Sequence, residues 1–315
     1  MLVMPPDGRF APSPTGPLHL GSLRTALSAW LFARTQSAGF LLRVEDLDPQ
    51  RSRSVYEQRQ LENLAALGID WDGPVVRQSE RTGLYAEALE RLDAQGALYP
   101  CFCTRAEIRD AASAPHGQMP EGSYPGTCYR LSDAERRRRI AAGRPFALRV
   151  AAKARRARFE DRILGWCRGV VDDFVVRRAD GVHAYQLAVV VDDAAQGVGE
   201  IVRGADLADS TPRQILLADL LGLPIPRYAH VPLVLGPDGA RLAKRHGAAT
   251  LADRVEPVGA TLAVLAHSLG LAQGRNRVEQ ASELLGEFDP ERIPREPVIL
   301  GGDGGTLRTA RAGAA

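Results

Sequence analysis

The chain has 315 residues, of which 45% are hydrophobic and 25% are charged. This composition is typical of a globular protein with one or two cores, and it excludes a chain that is mainly disordered. No apolar stretch approaches the roughly 18 residues that cross a membrane, and the N-terminus lacks the charged and apolar regions of a signal peptide. We therefore expect a cytoplasmic protein without membrane contacts.

The net charge of +2 is small, but nearly all the basic residues are arginines and many of them are concentrated in one segment. Only two of the 40 are lysines, Lys153 and Lys244, and a GC-rich coding sequence would produce this excess of arginine without a functional cause. Residues 134–168 carry 12 basic side chains against three acidic ones, which leaves a charge of −7 for the rest of the chain. This local excess indicates either a solvated helix face or a contact for a phosphate backbone.

The first predicted elements alternate between helix and strand. Residues 9–24 read RFAPSPTGPLHLGSLR, a Pro- and Gly-rich loop that leads into a helix with apolar spacing over 22–34. Residues 40–48 predict a buried strand that ends in acidic residues, and helices follow at 54–67 and 81–95. The alternation is typical of an α/β domain with a parallel sheet.

The pattern changes between residues 98 and about 178, which indicates an insertion. In chain order this segment contains a cysteine cluster at 101–128, a Pro/Gly/Ser-rich loop at 113–126, a charged helix around 136–139, and strands at 146–150 and 170–177.

A second α/β half is predicted after the insertion. Residues 184–193 (AYQLAVVVDD) predict a buried strand, followed by a helix at 212–221 and a strand near 230–235. After the loop 236–247 about 45 residues have a helical pattern, and we expect the tail from residue 301 to be disordered.

Two loops have the composition of anion sites. His19 and Gly21 directly precede a helix, whose N-terminus presents unpaired N–H groups and the positive end of its dipole. More than 200 residues later, RLAKRHG places Lys244 and Arg245 where they can neutralise a transferring phosphate. Each loop alone is more often a turn or a solvated surface, but the two together predict a phosphate site.

Five segments, in family order, resemble the glutamyl type of class I aminoacyl-tRNA synthetases. Besides the two loops, RVEDLDPQR (43–51), AYQLAVVVDD (184–193) and VRGADLADSTPRQ (202–214) are similar to that family, so the resemblance covers about residues 9–255. The HIGH-like motif consists of Pro12, Ser13, Pro14, Thr15, Gly16, Pro17, Leu18, His19, Leu20, Gly21 and Ser22, and the KMSKS-like motif consists of Arg241, Leu242, Ala243, Lys244 and Arg245. The resemblance implies a Rossmann-like catalytic domain with a parallel sheet.

The resemblance also implies which residues bind the substrates. Glu45 would pair with the ammonium of L-glutamate, and an arginine would offer its bidentate fork to a carboxylate. ATP, bound with Mg²⁺, would contact His19, Gly21 and Lys244. The residues implied for L-glutamate are Arg9, Phe10, Ala11, Pro12, Ser13, Glu45, Tyr185 and Arg203.

The implied chemistry is attack of the α-carboxylate of glutamate on the α-phosphate of ATP, which gives glutamyl-adenylate and pyrophosphate. This step needs no protein nucleophile, so His19 and Lys244 would act by positioning and by stabilising charge. Ala243 stands where the family often has serine, and the motif begins with Arg241. We expect these departures to slow loop closure without abolishing activity.

The cysteines suit a metal site better than a disulfide scaffold, because there are only four and three of them fall within 28 residues. Spacing alone leaves Cys167 or His116 as the fourth ligand, and unmetallated buried thiols remain an alternative. The resemblance implies one structural zinc ion, held by Cys101, Cys103, Tyr124 and Cys128.

Length narrows the function further. Only 70 residues follow Arg245, fewer than the roughly 100–200 of a further domain, so we expect no anticodon-binding region of the usual kind. A chain of this size resembles the truncated branch of the family, which activates glutamate without tRNA and attaches it to the queuosine base in the anticodon loop of tRNA(Asp). The expected partners are L-glutamate, ATP and queuosine-containing tRNA(Asp), bound by a monomer, with the flipped base in a pocket over the active site.

Two other functions compete with this one. The first is a minimal glutamate-tRNA ligase that charges the 3′ end of tRNA(Glu). The second is an RNA- or zinc-binding paralogue without catalysis, which the presence of His19, Glu45, Arg203 and Lys244 disfavours.

The expected fold is therefore α/β, with a zinc-containing insertion and a short helical C-terminal segment. In chain order the predicted segments are the first half of the Rossmann-like catalytic domain at 1–97, the zinc-binding, acceptor-type insertion at 98–180, the second half with the KMSKS-like loop at 181–256, a helical segment at 257–300 and a disordered tail at 301–315.

Overall fold

The computed structural model describes residues 5–104, 106–108, 123–240, 242, 250–301 and 306–309. Its helices are α1 (Leu20–Thr35), α2 (Ser54–Ala66), α3 (Thr82–Ala94), α4 (Asp133–Ala141), α5 (Tyr185–Ala195), α6 (Thr211–Leu221) and α7 (Val258–Ser268). Its strands are β1 (Gly8–Phe10), β2 (Phe40–Val44), β3 (Val76–Arg77), β4 (Leu98–Cys101), β5 (Ala147–Val150), β6 (Arg156–Asp161), β7 (Gly165–Val170), β8 (Phe174–Arg177), β9 (Glu200–Gly204), β10 (Arg227–Val231), β11 (Val234–Leu235), β12 (Val298–Leu300) and β13 (Leu307–Thr309).

A parallel sheet forms the centre of the molecule, which confirms the α/β prediction. β1 pairs with β2, β2 with β3, and β9 with β10, all in parallel register. The two halves meet where Asp7 bridges to Val198 and its carbonyl accepts the N–H groups of Gly199 and Glu200 at 3.0 and 3.2 Å. The order is therefore β3-β2-β1-β9-β10, and a crevice opens beside the two central strands, as is usual for such sheets.

Helix α1 packs between this sheet and α7, and it is buried on nearly all sides. Leu23, Leu27 and Leu31 are fully buried. Arg24 is also buried, and its guanidinium donates to the Pro232 carbonyl at 2.6 Å and to the Ser268 hydroxyl at 2.9 Å. Burial lowers the pKa of Arg24 to about 10. These bonds fix the start of α1, and thus the HIGH-like loop, against the second half of the domain.

The segment predicted as an insertion contributes strands to two sheets. β4, β5 and β8 form a small antiparallel sheet. The hairpin β6–β7 instead extends the central parallel sheet, because Asp161 of β6 pairs in parallel with Tyr228 of β10. Residues 170–177, predicted as one strand, comprise the end of β7 and the separate strand β8. The division into segments at 98 and 180 stays a prediction.

The prediction of a strand at residues 184–193 is wrong, since residues 185–193 lie in helix α5 and Ala184 is its N-cap. The error has a physical cause: an uninterrupted apolar run fits a buried helix as well as a buried strand. In α5 the apolar Leu187, Ala188 and Val191 face the core at helical spacing, and the buried carboxylates of Asp192 and Asp193 follow them.

The C-terminal region contains less α-helix than its pattern predicts. Only the 11 residues of α7 form an α-helix between residues 250 and 301, because Gly270 and Gly274 adopt positive φ angles of 81° and 79° just beyond it. The prediction of a disordered tail is wrong for Leu307–Thr309, which pair as β13 with β12. Residues 302–305 and 310–315 lie outside the described part of the chain. Among the described residues no helix combines the length and hydropathy needed to cross a bilayer.

Candidate active site

A cleft of about 740 Å³ opens beside β1 and β9. Its walls come from the loop between β1 and α1, from the end of β2, from the start of α5, and from β9 with the turn after it. The structure thus brings together residues from both halves of the sheet. The predicted residues that line the cleft are Arg9, Phe10, Ala11, Pro12, Ser13, Thr15, Gly16, Pro17, Leu18, His19, Gly21, Ser22, Glu45, Tyr185 and Arg203.

The loop between β1 and α1 is held from beneath by α2. The amide of Gln60 donates to the carbonyl oxygens of Ser13 at 3.1 Å and Gly16 at 2.7 Å. Gln60 is 3% exposed, so these bonds are shielded from water. The loop is therefore fixed before any ligand arrives, although no sequence signal marks Gln60 as its support.

His19 is the N-cap of α1, and its ring nitrogen Nδ1 accepts the N–H of Ser22 at 3.1 Å. The ring nitrogen Nε2 lies 3.2 Å from the Ser22 hydroxyl. Gly21 lies directly beside the imidazole, because a Cβ there would come within 3.0 Å of both Nδ1 and Cε1. Any larger residue at position 21 would displace the imidazole of His19, which is the predicted contact for a phosphate.

Arg9 is oriented by a buried carboxylate at the end of α5. Its Nε and Nη2 atoms lie 3.1 and 3.4 Å from the two oxygens of Asp193, which also accepts a bond of 2.7 Å from Arg43. Burial alone would raise the pKa of Asp193, but the charges and hydrogen bonds of Arg43 and Arg9 hold this pKa below its ordinary value. Asp193 ends a buried apolar run, and this is the signal by which sequence reasoning could have found it.

Glu45 lies on the same network and lines the cleft. Its carboxylate is 3.4 Å from Arg43, which is fully buried among Glu45, Asp192 and Asp193. Burial raises the pKa of Glu45, and the attraction of Arg43 and Arg9 only partly offsets that effect. A carboxylate in this position can pair with a cationic group of a ligand.

Arg203 lies on β9, and two of its three guanidinium nitrogens donate hydrogen bonds. Its Nη2 donates to the Thr211 hydroxyl at 2.8 Å, and its Nε donates to Nε2 of His230 at 3.1 Å. Its Nη1 is buried and has no hydrogen-bond partner within the described part of the chain. Such a guanidinium can bind an anionic ligand without breaking its existing bonds. Sequence reasoning missed His230, which stands in an apolar strand.

The structure describes one of the five residues of the KMSKS-like motif. Leu242 is buried, and its N–H donates to the carbonyl of Val234 at 3.2 Å. The other residues of the motif, Arg241, Ala243, Lys244 and Arg245, lie outside the described residues, as does His116.

Three cysteines converge beside the small antiparallel sheet. The sulfur atoms of Cys101, Cys103 and Cys128 all lie within 4.8 Å of one another. The phenol oxygen of Tyr124 is 3.4 Å from the Cys101 sulfur and 3.5 Å from the Cys103 sulfur, and it accepts the Cys128 N–H at 2.8 Å. Cys167 lies apart on β7, with its thiol 3.6 Å from the Gly165 carbonyl. This cluster could hold a metal ion.

The charges of the cluster favour a thiolate. A hydrogen bond with Cys128 lowers the pKa of the Cys101 thiol to about 4, and the same bond raises the pKa of Cys128. The sulfur atoms of Cys103 and Cys128 are 3.5 Å apart, close to the separation of about 3.8 Å that zinc–sulfur bonds of 2.3 Å give in a tetrahedral site. The donor set therefore fits a soft, tetrahedral ion such as zinc.

A second cavity of about 670 Å³ adjoins the cleft and shares Ser13, Glu45 and Tyr185 with it. It extends from these residues toward the cysteine cluster. The charged side chains on its walls include those of Asp48 and Arg178, which lie 3.5 Å apart. The cleft and this second cavity therefore share a wall formed by three residues.

Comparisons with known proteins agree with this geometry. A family model described as tRNA synthetases class I (E and Q), catalytic domain, matches residues 7–276. A protein of Nocardia farcinica named glutamyl-Q tRNA(Asp) synthetase is 59% identical over 301 residues, which cover 94% of this chain and 94% of that protein. A protein of Symbiobacterium thermophilum with the same name is 53% identical over 309 residues, with coverages of 93% and 95%.

Among solved structures, the glutamate tRNA ligase of Elizabethkingia meningosepticum in complex with its amino acid has a TM-score of 0.80 and 27% identity to this chain. The match covers 95% of this chain and 68% of the ligase. The region matched by the family model includes every residue that lines the cleft.

Proposed function

The chain belongs to the class I tRNA synthetases of the E and Q group, and from this membership we propose that it activates L-glutamate with ATP without tRNA and transfers it to queuosine in tRNA(Asp). The observation that carries the proposal is the match, over nearly their full length, to relatives named for that activity. The cleft supports it, because its charged groups complement an amino acid with one ammonium and two carboxylates.

Glutamate would be bound by three oriented charges. Glu45 would pair with the ammonium, and Arg203 would use its free Nη1 for a carboxylate. Asp193 holds Arg9 at the wall of the cleft, where its charge attracts the anionic substrate. Ser13, Phe10, Ala11, Pro12 and Tyr185 would complete the pocket.

ATP would lie along the HIGH-like loop, near His19 and Gly21, with Mg²⁺ on its phosphates. His19 would donate from Nε2, since Nδ1 is engaged as the helix cap. Lys244 would stabilise the charge that develops as the α-carboxylate attacks the α-phosphate and pyrophosphate leaves. Every other contribution is positioning, because the substrate carboxylate itself is the nucleophile.

The acceptor base would enter through the second cavity. It adjoins the cleft at Glu45 and Tyr185, so a base placed there would reach the activated carboxyl group. Such a base would leave its stack in the anticodon loop and be bound by its polar edge.

Zinc would be held by Cys101, Cys103 and Cys128, with Tyr124 as the fourth ligand. The ion would stabilise the fold of the small sheet, where few apolar residues are available to form a core.

Two assays test the proposed function. Glutamate-dependent exchange of pyrophosphate into ATP should proceed without tRNA, and no exchange would favour a catalytically inactive paralogue. Single-turnover transfer of labelled glutamate should then give product on tRNA(Asp) that contains queuosine. Product on the 3′ end of tRNA(Glu), or on tRNA(Asp) without queuosine, would contradict the proposal and indicate the minimal ligase.

A further inference from the structure

A buried chain of hydrogen bonds runs from the β6–β7 hairpin to the cleft through three charged or titratable side chains. Asp161, at the end of β6, lies 2.6 Å from Nδ1 of His230 on β10. Nε2 of His230 lies 3.1 Å from Nε of Arg203 on β9. Asp161, His230 and Arg203 are 2%, 0% and 4% exposed, so water cannot replace these bonds.

The chemistry of arginine fixes the proton on the imidazole. A guanidinium N–H can only donate, so Nε2 of His230 must accept and the ring proton must be on Nδ1. Nδ1 then donates to Asp161, whose carboxylate also accepts the N–H groups of Ile163 at 3.0 Å and Leu164 at 2.8 Å. Burial lowers the pKa of His230, which is consistent with a neutral ring.

The consequence for Arg203 is a defined orientation. His230 holds Nε and Thr211 holds Nη2, so the guanidinium plane is fixed by two neighbours on different elements. Only Nη1 is left without a bond among the residues that the structure describes. Without His230 the guanidinium would lose one of these two constraints and could rotate.

We propose that His230 is a positioning residue for Arg203, and that Asp161 selects the tautomer that makes this possible. The inference deepens the proposed function and rests on it for the identity of the bound carboxylate. His230 does not line the cleft. Its effect is to hold the guanidinium in the orientation that binds glutamate, which reduces the ordering cost on binding.

The kinetic test uses pyrophosphate exchange without tRNA. His230→Phe keeps the size of the side chain but removes the acceptor, so the KM for glutamate should rise roughly tenfold to a hundredfold, as expected when one bond to a charged group is lost. The KM for ATP should stay within about twofold of the wild-type value. His230→Gln retains an acceptor oxygen and should recover much of the affinity for glutamate.

The matched control is His267→Gln on α7, where Nε2 of the histidine lies 2.8 Å from the backbone carbonyl oxygen of Ala272. This variant should leave both KM values unchanged. An unchanged KM for glutamate in His230→Phe, or an equal rise for ATP, would overturn the proposal. Thr211→Val provides a second perturbation of the same guanidinium if His230→Phe does not fold, and it should raise the KM for glutamate selectively.

A measurement on the unaltered protein tests the tautomer directly. ¹⁵N NMR of the histidine ring should show His230 with a protonated Nδ1 and an unprotonated Nε2 at neutral pH. A proton on Nε2 would contradict the inference whatever the kinetics show. Absence of exchange in the wild-type enzyme would defeat the proposed function but would leave this spectroscopic test intact, so the two failures are distinguishable.

Discussion

The Glu45 side chain is 9% exposed and lies near two arginines, yet its pKa lies above the ordinary glutamate value because burial outweighs their attraction. The network around it explains how such a cost is tolerated. Arg43 interacts with three carboxylates, and Arg9 and Arg81 add two further ion pairs, so three guanidinium groups offset the three negative charges. The pH dependence of substrate binding follows from this one side chain.

We expect the binding of the substrate glutamate to weaken as the pH falls. The loss should begin at a higher pH than the one at which a solvent-exposed Glu side chain takes up its proton. Since the pKa is raised, Glu45 takes up its proton early as the pH falls, and the neutral acid cannot pair with an ammonium. In the exchange assay, the KM for glutamate should rise as the pH is lowered from about 8 to about 5. A Glu45→Gln variant should have a high KM throughout and show no such rise, whereas an identical profile in both enzymes would contradict the assignment.

Asp193 is a second residue at which a substitution should lower stability, because its carboxylate is shared by the buried Arg9 and Arg43. Asp193→Asn would leave two guanidinium groups without their shared anion, and breaking a buried pair in this way costs about 3–5 kcal/mol. Urea unfolding should show this loss in the free energy of unfolding. Asp70→Asn is the matched control, because the Asp70 side chain is 72% exposed in its pair with Arg34 and should change stability by less than about 1 kcal/mol.

Lys244 is one of only two lysines in the chain, and it lies in the KMSKS-like motif. The chain uses arginine at 38 of its 40 basic positions, so a lysine in the KMSKS-like motif suggests a need for a compact ammonium. Lys244→Ala should reduce adenylate formation roughly tenfold to a thousandfold in pyrophosphate exchange. Lys244→Arg keeps the charge and should still be impaired; near-normal exchange in both variants would remove Lys244 from the mechanism.

At the scale of elements, the basic segment 134–168 separates into two parts with different properties. On α4 three of the four arginines pair with acidic neighbours, since Arg136 contacts Asp133 and both Arg138 and Arg139 contact Glu135. On the β6–β7 hairpin Arg158 and Arg168 are directly opposite each other, and like charges in such a cross-strand pair are destabilising. The hairpin is therefore the better candidate for a contact with an RNA phosphate backbone.

An exposed aromatic ring strengthens this expectation. Trp166 is 63% exposed, and the guanidinium of Arg158 lies 4.0 Å from its ring. We expect Arg158→Glu combined with Arg168→Glu to weaken tRNA binding and to make the salt dependence of log K shallower by about 1–2. Exchange without tRNA should be unchanged.

The control for the hairpin is Arg277→Glu, at an arginine whose side chain is 60% exposed in the C-terminal region. Filter binding of tRNA(Asp) at several salt concentrations measures the effect. If the control weakens binding as much as the hairpin variant does, the contact is not specific to the hairpin.

The sequence predicts an element correctly when its pattern of apolar residues is compatible with only one type of secondary structure. The amphipathic helices α2 and α3 are predicted to within about two residues, because their apolar spacing fits only a helix. Residues 184–193 are apolar almost throughout, and the same run is compatible with α5 and with a strand. Tertiary burial decides between the two, and no local pattern records it.

At the scale of the whole molecule, the sequence predicts residues that contact ligands better than residues that hold them. Arg9, Glu45 and Arg203 stand in short motifs, and all three line one cleft. Gln60 and His230 support that cleft from distant parts of the chain, and their partners are fixed only by the folded topology. Long-range pairing of this kind has no signature in a single sequence.

The β6–β7 hairpin has a consequence for any attempt to exchange modules between related chains. Its strand β6 pairs with β10 at Tyr228, where the carbonyl accepts the N–H of Arg162, so a graft that removes residues 98–180 as one block would open this edge of β10. It would also strip Phe159 from its contact with Tyr228. A chimera that keeps the hairpin and replaces only β4, β5 and β8 should remain monodisperse, whereas the larger deletion should aggregate through its open edge.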